Sequence, residues 1–381
     1  MIGPLPSLFG EDARPVAAVF RSPVFNASET FVSGHAAGLV RYQPLMVGLE
    51  DKGHVPAGLA GRVLLASGGE RLRLKLLGAA GGFARRVRPF APALVHAHFG
   101  TDGVLALPIA RALGVPLVTT LHGYDVTRSQ AALLGSGRLS WMRYALGRAR
   151  LARGGALFLA VSEAIRGRAI AVGYPSERVV THYNGVDLAR FAVGDGGDGR
   201  TILHVGRLVE KKGTADLLRA FAVVRGTNPD ARLAIVGDGP LRGDLERLAG
   251  ELGLGAAVRF AGFQPVGEWM RRSAVLAAPS VTARDGDAEG LPTVIVEGAA
   301  SGLPVVGTRH SGIPEAVLDG VSGFVVPEGD VGALAARLGE LLESAELRAR
   351  MGAAGRALVE AKFDAAKQIV RLEGMYDELT A

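Results

Sequence analysis

The residues best suited to do chemistry lie in one run, EGLPTVIVEGAASGLPVVGTRHSGIPEAV, from Glu289 to Val317. Two of its carboxylates, Glu289 and Glu297, are separated by seven residues, and Gly290-Leu291-Pro292 precedes a helix-compatible stretch. A helix starting near Pro292, a good first-turn residue, would aim the backbone amides of Gly290, Leu291 and Thr293 out of its positive end, which suits a diphosphate. Glu297 would then lie about one turn further on, where burial is costly unless the carboxylate accepts hydrogen bonds, and a ribose diol offers two. Glutamates placed by chance on a surface helix are the bland alternative. A cationic piece, HVGRLVEKKG (204–213), follows a strand-like run. There Gly206 permits a sharp turn, while Arg207 and Lys212 supply charge where open α/β sheets bind ligands. Such fixed cations stabilise a departing phosphate oxyanion, unless they are spent in salt bridges to Glu210 or Asp238. The turn VGDGP, with Gly237 and Asp238, is weak alone, since Gly-Asp-Gly is common turn chemistry.

In the first half, TLHGYD places His122 and Asp125 just after a strand-like run, and SETF (28–31) offers Ser28 as an N-cap and Thr30 as a first-turn hydroxyl able to bind an anion. His122 alone reads equally as a capped core residue. His96 and His98 alternate along one strand and could share a face, but without a nearby carboxylate pattern they make a poor zinc site, so no metal is expected there.

Apolar runs alternating with helical patterns position these residues, the signature of doubly wound parallel sheets. The runs are 16–20, 94–99, 116–123 and 156–162 in the first half, and 201–207, 232–239, 258–263, 274–280 and 303–308 in the second. At 381 residues the chain suits two domains with a cleft between them. AVGDGGDGR (192–200) reads as their linker, predicting domains 1–194 and 195–363 and a closing helix over 364–381 with apolar positions at Ile369, Leu372 and Met375/Tyr376.

The absence of cysteine excludes disulfides and thiolate metal sites. No basic leader precedes an apolar core, and no apolar run is long enough to span a membrane, so a cytoplasmic protein is expected. Charge is asymmetric, with 22 Lys and Arg against 11 Asp and Glu over residues 1–190 and 21 against 26 over the rest. Arg71, Arg73, Lys75, Arg85, Arg86 and Arg88 face only Glu70. This cluster is either a solvated face or a dock for anionic membrane or a phosphate-bearing acceptor. Nucleic acid is not expected, since no aromatic residues interleave with the charges.

Together, the Glu289/Glu297 pair, GRLVEKKG and the GFQP turn carrying Gln264 resemble glycosyltransferase family 4, most strongly over 200–325, and HAHFG, TLHGYD and VTARDGDAEG resemble its exopolysaccharide and capsule branch. The resemblance implies an α/β GT-B fold whose closing helix returns to the first domain. It implies a retaining, metal-independent hexosyltransferase with no cofactor, taking a UDP- or GDP-linked sugar to a saccharide or lipid-linked saccharide held by the first domain. In that reading Glu289 orients a sugar hydroxyl, Glu297 fixes the ribose, and Gln264 with Gly206, Gly237 and Asp238 lines the nucleotide. Arg207 and Lys212 stabilise the leaving phosphate, and His122 steadies the sugar. The chain departs from the family's commonest pattern by having SPVFNASETFVSG where a glycine-rich turn usually follows the first strand, so Ser28, Thr30 and Asp125 are the acceptor or phosphate candidates. A GT-B epimerase and a non-catalytic sugar-nucleotide-binding protein would share the fold. A nicotinamide enzyme would need a Gly-x-Gly-x-x-Gly turn that no strand here offers.

Overall fold

The computed structural model describes residues 12–26, 29–194 and 197–381, so Ser28 lies outside the described residues. The chain divides into two units, one comprising residues 1–161, 165–185 and 365–381, the other 162–164 and 186–364. The division precedes the expected boundary at 194/195 because Val186 already belongs with the second unit, its N–H donating to the Phe363 carbonyl at 2.8 Å.

The first unit holds seven parallel strands, β1 (Val16–Arg21), β2 (Gln43–Gly48), β3 (Val63–Leu65), β4 (Pro92–His98), β5 (Leu117–Leu121), β6 (Leu157–Ala160) and β7 (Val179–Thr181), ordered β3-β2-β1-β4-β5-β6-β7. The second holds six, β8 (Thr201–Val205), β9 (Arg232–Val236), β10 (Val258–Gly262), β11 (Val275–Ala278), β12 (Val305–Thr308) and β13 (Gly323–Val326), ordered β10-β9-β8-β11-β12-β13. Every apolar run read from the sequence is one of these strands. Four strands carried too little signal: β3, β7 and β13 are only three or four residues long, and β2 opens Gln-Pro, a pair that argues against a strand. Each order reverses beside the first strand of its sheet, placing a ligand crevice at the carboxyl ends of β1 and β4 in one unit and of β8 and β11 in the other.

The closing helix Ala365–Thr380 packs Ile369, Leu372 and Tyr376 against Ala17, Leu94, Val118 and Leu159, covering one face of the first sheet. Glu373, 1% exposed, fastens it: its Oε1 accepts the N–H groups of Val40 at 2.7 Å and Arg41 at 2.6 Å. The opposite face is covered by the helices Gly68–Leu77, Gly81–Val87, Gly100–Leu113 and Leu139–Gly154 through Leu74, Phe83, Leu105, Tyr144 and Leu151.

Five of the eight histidines, His35, His96, His98, His122 and His182, gather within the first unit. The His96 and His98 rings stack 4.6 Å apart on one face of β4, His122 lies 5.3 Å beyond His98, and His35 lies 5.7 Å from His98 and 5.9 Å from His182. Burial holds all five neutral, pushing His35 down to about 3 and His182 to about 4, and His96, His98 and His122 well below 6.5. Neither ring nitrogen of His35 has a hydrogen-bond partner among the described residues.

In the unfolded chain these rings titrate near 6.5, so as pH falls the unfolded chain takes up protons before the folded one. The stability they contribute is complete above about pH 6.5 and is lost as pH falls from there toward the depressed folded values, with His204 of the second unit, lowered to about 4 by burial, acting in the same direction. The melting temperature is therefore expected to drop by more than about 5 °C between about pH 7.5 and pH 5. His35→Leu, which replaces an unpaired buried imidazole with an apolar side chain, is expected to lessen that drop. A melting temperature flat across this range, or steeper acid loss in the variant, would contradict the assignment.

Candidate active site

In the second unit the site begins where β8 and β9 end. Gly206 N–H donates to the Val236 carbonyl at 3.0 Å, and Gly237 N–H to the Gly262 carbonyl at 2.7 Å, so the two turns lie against each other. Gly237 has φ 138°, and a Cβ there would stand 2.0 Å from the Gly206 carbonyl oxygen, so no other residue fits without moving the backbone. The 3-10 turn Glu210–Lys212 ends at Gly213, which has φ 64° and whose Cβ would stand 1.8 Å from the Pro279 carbonyl oxygen after β11. This close approach carries Lys211 and Lys212 over the switch point between β8 and β11. Lys212 is therefore not paired with Glu210 or Asp238. Its Nζ lies 3.1 Å from Glu289 Oε1, while Lys211 Nζ lies 3.8 Å from the same oxygen and 3.2 Å from Asp287.

Glu289 is 9% exposed. Burial opposes its charge, but Lys212 and Lys211 outweigh it and hold the carboxyl below the usual range, so the group is an ionised acceptor at neutral pH. Its main chain is set separately. His310 Nε2 accepts the Glu289 N–H at 3.0 Å, and His310 Nδ1 lies 2.7 Å from Glu328 Oε1, an arrangement that fixes the proton on Nδ1. Glu328 Oε2 in turn accepts the Thr282 N–H at 2.8 Å. The next carbonyl, that of Gly290, accepts from Gly312 N–H at 3.0 Å and Ser311 Oγ at 3.2 Å. His310 was inside the run singled out by sequence yet gained no role there. Its signal was its place two residues beyond β12, facing the carboxylate loop.

The helix Thr293–Ala300 starts one residue later than expected, with Pro292 as its N-cap at φ −62° and ψ 113°. Gly290 and Leu291 therefore precede the helix, and only Thr293 of the three expected amide donors lies in its first turn. Glu297 is half-buried on this helix, and burial raises its pKa, with Arg190 and Lys212 opposing. Arg207 is exposed and has no ion pair among the described residues, leaving its charge available at the end of β8. Gln264 is exposed after β10, beside Phe263, an aromatic ring 75% exposed that sequence reading passed over. Asp238 is exposed too, but its carboxylate is engaged locally by Gly239 N–H at 2.7 Å and Arg242 at 3.3 Å.

In the first unit the switch point is built from charged groups distant in sequence. Arg21, closing β1, donates to both Glu29 oxygens at 2.7 Å and to Asp102 Oδ2 at 2.6 Å, and its guanidinium lies 4.5 Å from the Phe99 ring centroid. Burial pushes Asp102 up to about 6 against the pull of Arg21. Sequence reading missed this trio, because 81 residues separate Arg21 from Asp102; only SETF, which contains Glu29, marked the place. Thr30 opens the helix Thr30–Gly38, with Glu29 rather than Ser28 at its N-cap.

His122 follows β5 directly, as expected, its ring 4.4 Å from Phe99, 4.7 Å from Phe31 and its Nε2 3.1 Å from His98 Nδ1. Asp125, one of the acceptor or phosphate candidates, is held by the backbone around it. It is 0% exposed, and its carboxylate accepts backbone N–H groups from Gly123 at 2.8 Å, Gly100 at 3.0 Å and His122 at 3.2 Å. With its oxygens turned to these amides, it braces the turns after β4 and β5.

Residues 41–190 match the Glycosyltransferase Family 4 domain and residues 186–358 the glycosyl transferases group 1 domain. The chain is 37% identical over 279 residues to WcaL of Salmonella typhimurium, named for colanic acid biosynthesis, covering 69% of this chain and 66% of that protein, just under two thirds. It is 33% identical over 293 residues to the amylovoran biosynthesis glycosyltransferase AmsK of Erwinia amylovora, covering 74% and 69%. Among solved structures, Anabaena HepE in complex with UDP and glucose superposes with a TM-score of 0.77 at 22% identity, over 96% of this chain and all of HepE. Two parallel α/β units of this order are the GT-B fold, and the chain belongs to glycosyltransferase family 4.

Proposed function

We propose that the protein transfers a sugar from UDP or GDP to a growing polysaccharide or a lipid-linked saccharide, with retention of configuration and without a divalent metal. The observation that carries this reading is the ionised, buried Glu289 held by Lys212 and Lys211 at the carboxyl edge of the second sheet, with its main chain locked by His310. A rigid charged acceptor beside fixed cations suits a reaction in which a sugar hydroxyl is held while negative charge grows on a leaving phosphate. HepE, bound to UDP and glucose, supports the donor class, and the colanic acid and amylovoran relatives support a polysaccharide intermediate as acceptor.

In the proposed step the acceptor oxygen bonds to the anomeric carbon on the face from which the diphosphate departs. The carbon–oxygen bond to phosphate breaks, and the acceptor's proton passes to the leaving phosphate oxygen. Arg207 and Lys212 offset the charge on that oxygen, and the first-turn amides from Thr293 assist. Asp287 is engaged by Lys211, which supports the metal-free reading. Glu297, whose charge burial disfavours, gains hydrogen bonds to its ionised form from the ribose diol. His122, held neutral, has a hydrogen-bonding role toward the donor sugar. A lipid-linked acceptor would place the protein peripherally on the inner face of the plasma membrane.

A panel of UDP-, GDP- and ADP-sugars tests the donor class by thermal stabilisation, since a ligand at about 100 times its dissociation constant contributes roughly 2.7 kcal/mol. One of the UDP- or GDP-sugars is expected to stabilise the protein and to support transfer unchanged in EDTA. Stabilisation by none of them refutes the reading, and transfer lost in EDTA and restored by manganese refutes its metal-free part.

The two glutamates are expected to fail differently. Glu297→Ala, removing a contact to a group that changes little during reaction, should mainly raise KM. Glu289→Ala should mainly lower kcat, on the order of 100-fold or about 2.7 kcal/mol, while Glu289→Gln keeps part of the activity. His310→Ala, which frees the Glu289 main chain without touching its carboxylate, should lower kcat by about tenfold with a smaller change in KM. A covalent glycosyl adduct on Glu289, or exchanged effects of the two alanine variants, would overturn these roles.

A further inference from the structure

Six of the fifteen large apolar side chains exposed among the described residues sit on two helices of the first unit. Leu72 and Leu76 project from Gly68–Leu77 at 58% and 61% exposure on the side opposite the buried Leu74, and Leu77, at the helix's last position, is 78% exposed. Leu139, Met142 and Leu146 form a stripe at helical spacing on Leu139–Gly154, Leu146 being 74% exposed. The helices are joined where the Arg143 guanidinium donates to the Lys75 carbonyl, next to Leu76 on one side and Met142 on the other. A soluble surface rarely groups side chains of this kind without a partner.

The charge around them is mainly of one sign. No Asp or Glu occurs from residue 71 to 101 or from 126 to 162, stretches that carry twelve Lys and Arg. Part of the basic cluster singled out by sequence is spent internally, Arg86 on the Leu65 carbonyl and Glu70, and Arg88 on the Ala112 carbonyl. Arg71 and Arg73 on one helix, and Arg150 and Arg153 on the other, are exposed and have no ion pair among the described residues. The free charge thus flanks the leucines.

We propose that the exposed faces of Gly68–Leu77 and Leu139–Gly154 form one membrane-docking surface, the leucines entering the headgroup boundary of an anionic bilayer while the flanking arginines meet its phosphates. Leucine on one side and arginine around it is the composition that binds an interface by apolar burial and charge together. A second copy of the same face would set arginines against arginines. Bases would find no free ring to stack on, because Trp141 is covered by the guanidinium groups of Arg128 and Arg138, 4.1 Å and 4.6 Å from its centroid. Trp141 also stacks on Tyr124 at 5.3 Å, two residues after His122, so the surface is continuous with the carboxyl edge of the first sheet. The surface deepens the reading of a lipid-linked acceptor and rests on it for its purpose only; docking needs neither donor nor acceptor.

The test is co-sedimentation of the full chain, with no substrate present, on vesicles of phosphatidylcholine with about one third phosphatidylglycerol and on vesicles of phosphatidylcholine alone. Binding is expected only to the anionic vesicles and to weaken with salt. Leu76→Glu/Leu146→Glu is expected to lower it by at least about tenfold, and Arg73→Gln/Arg150→Gln to lower it and flatten its salt dependence. Both double variants should keep the wild-type melting temperature and turnover on a water-soluble acceptor. The proposal is overturned if the wild type ignores anionic vesicles, if both variants bind as it does, or if the wild type is a dimer that the glutamate variant converts to monomer. Loss of turnover on the soluble acceptor by the wild type would instead count against the proposed function and leave vesicle binding to be read by itself.

Discussion

A carboxylate kept charged while nearly excluded from water is the constraint that shapes the second unit. Glu289 would be driven toward its neutral form by burial alone, so two ammonium groups must stand close, and they reach it only because Gly213 lets the backbone run against the Pro279 carbonyl. Charge does not set direction, however, and the carboxylate's main chain is fixed by a second device, the imidazole of His310 between the Glu289 amide and Glu328. The two devices come from opposite sides of the switch point, one after β8 and one after β12, so the geometry of the whole sheet is imposed on one side chain.

The first unit solves a different problem with the same materials. Its strand ends carry neutral histidines packed ring against ring, and the buried guanidinium of Arg21 at the end of β1 is shared between Glu29 and Asp102. Asp125 gathers amides from two successive strand-end turns, which locks the backbone from which His122 projects. Phe99 adopts φ 69° and ψ 144° at the start of its helix, uncommon for a residue with a side chain, and the following Gly100 amide is one of those that Asp125 holds. Here burial itself keeps the imidazole of His122 uncharged.

The two sheet faces of the first unit also differ in kind. One is closed by the C-terminal helix, whose Glu373 is consumed by backbone amides. The other is closed by helices that bury Leu74 and Leu151 inward and turn leucine and arginine outward. Ordinary globular helices turn charge alone outward, and the mixture is what separates a solvated face from an interfacial one.

The sequence alone determined the strand-rich core of both sheets, the closing helix and the spacing of Glu289 and Glu297, because each is written within a short run: apolar blocks between turns, or a fixed spacing along one segment. Tertiary structure alone decided which partners those residues have. Lys212 turned from its neighbours to a carboxylate 77 residues away, Arg21 found Asp102 across 81, and Asp125, legible only as a polar residue at a strand end, proved to be a brace. The division at Gly185 and the short strands β3, β7 and β13 were equally unwritten, since each is stabilised by parallel neighbours that arrive from elsewhere in the chain. Parallel sheets impose this, for they bring together at one edge the ends of strands that are separated in sequence by whole crossover helices.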